Sequence, residues 1–190
     1  MLKKRGFTLI ELLVVIAIIG VLATIVMVSL SGAKSKSRDA KRQADIKSIQ
    51  LALSLYYNDN GMYPKNIYST SGSAPSNGLA PTYLPVVPRD PQSTTACTDS
   101  SGQYCYKYMA FASAGACHVS NSPPSMYHVG AAMEETAGTA LLNDVDAPST
   151  GGVFAGLSAC TGHYASFDGN ATACSGTSAA TPDSCFDMTP

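Results

Sequence analysis

Residues 7–30 read FTLIELLVVIAIIGVLATIVMVSL, 24 residues whose only charge is Glu11. A helix rises 1.5 Å per residue, so this run is about 36 Å long, enough to cross a hydrocarbon core with some tilt. Before it stands Met1-Leu-Lys-Lys-Arg-Gly6, a positive segment that keeps its own end cytoplasmic and sends the rest of the chain across. The apolar run outlasts the 7–15 residues of an ordinary secretory signal, and Gly6 precedes it rather than closing it. An uncleaved signal anchor is the plainest reading. A carboxylate inside a span is costly unless it is paired or reaches the headgroups.

Beyond Leu30 the residues keep a helical period. Ala40, Ala44, Ile46, Ile49, Ala52, Leu53 and Tyr56 recur at three- and four-residue steps, and no proline interrupts residues 1–63. One helix is therefore expected from Phe7 to about Tyr57, apolar all round in its first half and amphipathic in its second. Asp59-Asn60-Gly61 carries the turn chemistry that ends it. The cations Lys34, Lys36, Arg38, Lys41 and Arg42 read either as a solvated face meeting lipid headgroups or as partners for neighbouring subunits.

About 60 of the 190 residues are thus helix, leaving roughly 130 for one small domain. The prolines from Pro64 to Pro91 leave little regular structure there. Tyr104–Phe111, Ser125–Met133 and Ser184–Met188 are strand candidates, the first from its alternating tyrosines. A Gly/Ser/Thr/Ala-rich excursion occupies 134–183. Antiparallel strands on an amphipathic helix give an α+β domain.

Charge is divided. Residues 1–63 hold nine Lys/Arg and four acids, a net of +5; residues 64–190 hold three and nine, a net of −6. The basic half adjoins the apolar run, so anionic lipid explains it better than nucleic acid, and the acidic half argues against nucleic-acid binding. Cys97, Cys105, Cys117, Cys160, Cys174 and Cys185 are spaced by 8, 12, 43, 14 and 11 residues, with no zinc-clamp spacing. An even count in a small domain beyond a membrane segment reads as up to three disulfides in an oxidising compartment, with free thiols or metal ligands as the alternatives. Spacing does not choose the connectivity.

Lys4-Arg5-Gly6-Phe7-Thr8-Leu9-Ile10-Glu11-Leu12-Leu13 resembles the class III signal of type IV prepilins and type II secretion pseudopilins. The resemblance implies a pilin-like fold, cleavage between Gly6 and Phe7 by a prepilin peptidase, and N-methylation of Phe7. It assigns Glu11 to the N-terminal amine of a neighbouring subunit. The implied parts are a leader (1–6), a transmembrane and filament-core helix (7–30), the amphipathic half of that helix (31–58) and an extracellular domain (59–190). The implied function is structural, with no catalysis: a membrane-held subunit, domain outside, that polymerises with itself through the assembly machinery into a surface filament.

A type IV pilus subunit is the leading reading and a secretion-system major pseudopilin the alternative. A signal-anchored binding domain that never polymerises is the reading of another class. Asn60-Gly61 through Tyr63-Pro64, then Tyr83-Leu84-Pro85 and Pro88-Arg89-Asp90-Pro91, resemble the connecting region of major pseudopilins and short pilins, but Gln92-Ser93 follows where the pseudopilin pattern often has Trp-Gly. Major pseudopilins bind Ca2+ in a C-terminal loop, which makes Asp144, Asp146 and Asp168 weak candidate ligands; solvated turn carboxylates are the default. Gly176–Pro182 resembles a subtilisin nucleophile segment without a matching His or Asp motif, and His118, His128 and His163 are isolated. Asn170-Ala171-Thr172 matches a glycosylation sequon that an Asx turn explains as well.

Overall fold

The computed structural model describes residues 7–69, 78–94, 96–97, 105–113, 116–117, 123–135 and 185–190. Helix α1, Leu9–Asn60, runs for 52 residues. Thr8 starts it: the Thr8 hydroxyl accepts from the Glu11 amide at 3.2 Å, while Glu11 Oε2 accepts from the Thr8 amide at 2.8 Å. This is a reciprocal capping box, Thr-x-x-Glu. At the other end Gly61 adopts φ 67° and donates its amide to the Tyr57 carbonyl at 2.7 Å. A left-handed residue just past the helix closes it in this way, and glycine takes that conformation without a Cβ clash. The stop falls three residues beyond the expected Tyr57.

The chain forms two units, 1–37 and 38–190. In the first, every residue from Phe7 to Lys34 whose side chain is described is exposed. In the second, α1 buries Asp39, Arg42, Ile46, Ile49, Leu53 and Tyr56, with Ala52 beside them. The steps of three and four hold one stripe against the core. Ala40 and Ala44, expected on that stripe, are exposed. Asp39 and Arg42 take the core-facing positions because carboxylates and amides elsewhere in the unit satisfy them.

Strands β1 (Lys107–Ser113), β2 (Ala116–Cys117), β3 (Met126–Ala132) and β4 (Cys185–Met188) form an antiparallel sheet in the order β2-β1-β3-β4. Tyr108 pairs with Val129, and Ala132 with Cys185. Tyr108, Tyr127, Val129, Ala131 and Phe186 join Ile46, Ile49, Leu53 and Tyr56 in one core. Each large apolar side chain so buried stabilises the fold by about 1.5–3 kcal/mol. Tyrosines dominate here because their hydroxyls find partners: Tyr108 donates to the Pro64 carbonyl and Tyr106 to Asp45 Oδ2, both at 2.7 Å.

The first strand starts later than its alternation suggests. The Tyr106 amide donates at 2.9 Å to the Tyr68 hydroxyl instead of a neighbouring strand, and β1 begins at Lys107. Between helix and sheet, Gly78 donates to Ser69 O at 3.1 Å and Leu79 to Ile67 O at 3.2 Å. Ala80–Pro81 is a cis peptide. Cys97 and Cys105 form a disulfide, and Cys185 is disulfide-bonded as well. Cys117 lies in β2, while Cys160 and Cys174 fall outside the described residues.

Candidate functional site

The helix start is the first candidate. Phe7 is exposed, and Gly6 lies outside the described residues. Glu11 Oε2 accepts from both the amide and, at 2.7 Å, the hydroxyl of Thr8. A carboxylate in the first turn also meets the positive end of the helix dipole. Glu11 therefore has a partner within its own chain. Its Oε1 accepts no hydrogen bond among the described residues. Among the described residues α1 is the one helix long and apolar enough to cross a membrane. Its first half presents side chains such as Ile10, Val14, Ile18, Val21 and Ile25 with nothing packed on them. Such a surface is stable only in lipid or against other apolar helices.

The second candidate is the cation run. Arg38 grips Glu134 through two bonds, Nε to Oε1 at 2.7 Å and Nη2 to Oε2. Arg42, 1% exposed, donates Nε to Asp90 Oδ2 at 2.5 Å, Nη2 to Asp90 Oδ1 at 3.0 Å, and Nη1 to Asp39 Oδ1 and Glu134 Oε1 at 2.6 and 2.7 Å. Asp39 in turn accepts from the Glu134 and Glu135 amides at 3.0 and 2.9 Å. Asp90 Oδ1 also accepts the Gln92 amide at 2.8 Å, an Asx turn in the Pro88–Gln92 segment.

The cage thus ties the helix to the connecting segment and to the end of β3. Arg38's hydrogen bond is the largest influence holding the Glu134 carboxyl down at about 2; burial opposes it and Arg42 adds to it. Burial opposes the charge on Arg42, and the bonds to Asp90, Asp39 and Glu134 outweigh it, raising its pKa. Arginine suits this place because its rigid fork serves three carboxylates at once.

Two of the five cations after the apolar run are therefore internal ties, against the reading of that run as a solvated or intersubunit face. Periodicity missed the cage because it counts apolar residues, and Asp90 and Glu134 are far away in sequence. The Asp39-x-x-Arg42 spacing and the Arg89-Asp90-Pro91 string were the available signals.

Among the described residues no group of three metal-ligating side chains occurs. The weak calcium candidates Asp144, Asp146 and Asp168 lie outside the described residues, as do His118, His163, Asn170 and Gly176–Pro182. His128 is buried on β3, a packed histidine.

The prokaryotic N-terminal methylation motif matches residues 1–27. The type II secretion system core protein G of Pectobacterium carotovorum subsp. carotovorum is 37% identical over 110 residues, covering 54% of this chain and 70% of that protein. Its counterpart in Klebsiella pneumoniae is 37% identical over 112 residues, covering 55% and 80%. That of Escherichia coli K12 is 44% identical over 84 residues, covering 44% and 55%. No solved structure matches the chain. These relatives favour the secretion pseudopilin over the pilus subunit, and the shared methylation motif suits both. A structural role follows the same relatives. With the methylation motif, the long capped helix and the small antiparallel sheet in place, the chain belongs to the family of the type II secretion system core protein G.

Proposed function

We propose that the chain is a major pseudopilin, a structural subunit of the filament of a type II secretion system. One observation carries this reading: a single helix, Leu9–Asn60, is apolar and uncovered in its first half and a core element of a domain in its second. Residues 1–6 are the leader, removed by a prepilin peptidase, and Phe7 is then N-methylated. Before assembly, residues 7–30 anchor the chain in the inner membrane with the domain outside. On assembly that apolar surface passes from lipid to neighbouring helices. Glu11 meets the Phe7 amine of a neighbouring subunit, an opposite charge that offsets desolvation and fixes axial register. The disulfide-bonded domains form the outer surface.

A second reading, a pilus subunit, is favoured by Gln92-Ser93 in place of Trp-Gly. Deleting the gene in the host separates the two. Loss of exported proteins from the medium, with surface fibres intact, supports the secretion filament; loss of surface fibres with export intact supports the pilus. Recovery of the chain only in membranes, with Lys3–Arg5 retained, contradicts both and leaves a signal-anchored domain.

A further inference from the structure

The cations beyond the apolar run divide by what holds them. Arg38 and Arg42 are bonded to Glu134, Asp39 and Asp90. Lys41 lies 3.9 Å from Asp45. Lys34 and Lys36 are exposed and form no ion pair among the described residues. From Leu12 to Arg38 the sequence contains no acid, and the next one, Asp39, is already held by Arg42 and by the Glu134 and Glu135 amides.

Their position is specific. Lys34 and Lys36 lie four and six residues past Leu30, about 6 and 9 Å along the helix. Headgroups occupy the first 5–8 Å or so beyond a hydrocarbon boundary, and a lysine stem reaches back several ångströms while keeping its ammonium wet. The two are about 200° apart around the axis. They therefore stand on opposite sides of the helix. A headgroup layer surrounds the helix and so meets both at once, whereas a single neighbouring subunit meets only one of them.

Resting on the proposed anchoring of residues 7–30, we propose that Lys34 and Lys36 form a collar that binds anionic phospholipid headgroups in the leaflet on the domain's side. The collar sets how deep the helix sits before assembly and must be released when the subunit leaves the membrane. The roles of the five cations then differ: two arginines hold the domain's own parts together, Lys41 lies against Asp45, and two lysines hold the lipid surface.

The test uses the full chain reconstituted in phosphatidylcholine vesicles carrying spin-labelled phosphatidylglycerol or spin-labelled phosphatidylcholine. Electron paramagnetic resonance then reports each lipid's association with the protein. The native chain is expected to prefer the anionic lipid about two- to threefold at low salt, and the preference to fade in high salt. Lys34→Gln with Lys36→Gln should bring it to about unity, while Lys41→Gln leaves it in place. Equal association in the native chain, or an undiminished preference in the double variant, overturns the collar. A double variant that keeps its lipid preference but fails to form filaments assigns the lysines to a neighbouring subunit, and also overturns it. A chain that restricts no lipid of either kind contradicts the anchoring itself and the collar with it.

Discussion

Arg42 and Asp90 are 48 residues apart in sequence and meet side-on inside the second unit, Nε to Oδ2 at 2.5 Å and Nη2 to Oδ1 at 3.0 Å. The pair fixes the connecting segment to the helix, and Arg42 extends the tie to Asp39 and Glu134. A buried ion pair is weak as a net stabiliser, but its loss on one side is costly because the other charge stays behind. Arg42→Ala should therefore destabilise the domain by about 3–5 kcal/mol in urea unfolding. Arg42→Lys keeps the charge without the fork and should lose an intermediate amount; a fully stable Arg42→Ala would contradict the role given to the cage.

Glu134 gives the cage a pH signature. Its folded pKa is lowered to about 2. A lowered carboxylate contributes stability that is fully present above its unfolded pKa and is lost as pH falls through the folded one. Stability should thus fall between about pH 5 and pH 2, by up to about 2 kcal/mol from this group once its partial exposure is allowed for. Glu134→Gln should be less stable at pH 7 and show a shallower acid slope, read from urea midpoints across that range. An unchanged slope would remove Glu134 from the explanation.

Gly78 is a packing site. A Cβ there would stand 2.3 Å from Ser69 O and 2.6 Å from Ile67 O, both backbone atoms that cannot swing away. Gly78→Ala should cost about 1–3 kcal/mol in thermal or urea unfolding, by overpacking and by breaking the Gly78–Ser69 bond. Gly20, with nothing within 4 Å, should accept alanine without a packing penalty.

Thr8 is the cap of α1. Thr8→Val keeps the shape, removes the hydroxyl that Glu11 engages, and should weaken the first turn by about 1 kcal/mol. Hydrogen exchange at the amides of residues 9–12 reads this directly: faster exchange in Thr8→Val and native-like exchange in Thr8→Ser are expected. Equal protection in all three would mean the capping box does not hold the helix start.

Much of this was legible in sequence. The uninterrupted period to Tyr56 and the Asp59-Asn60-Gly61 stop placed the helix, and tyrosine alternation located β1. What escaped depends on distance along the chain. Nothing near Tyr106 signals that its amide goes to Tyr68, 38 residues away. Nothing near Arg42 signals Glu134, 92 residues away. Strand β2, two residues long, has no period to detect. Cys97–Cys105 is one pairing that spacing left open. At the helix start, the resemblance pointed Glu11 toward a neighbour's amine, while the Thr8-x-x-Glu11 spacing was the available signal for the capping box seen in the folded turn.

Cleavage at Gly6 is proposed to supply the amine that Glu11 of a neighbour uses in a filament, so processing and assembly stand or fall together. Mass spectrometry of filaments purified from the native host, comparing the native chain with Glu11→Ala, reads both. N-methylated Phe7 is expected at the N-terminus of filament subunits, and in Glu11→Ala a processed chain that remains in the membrane. Normal filament yield from Glu11→Ala, or filaments whose subunits retain Met1–Gly6, would contradict that pairing.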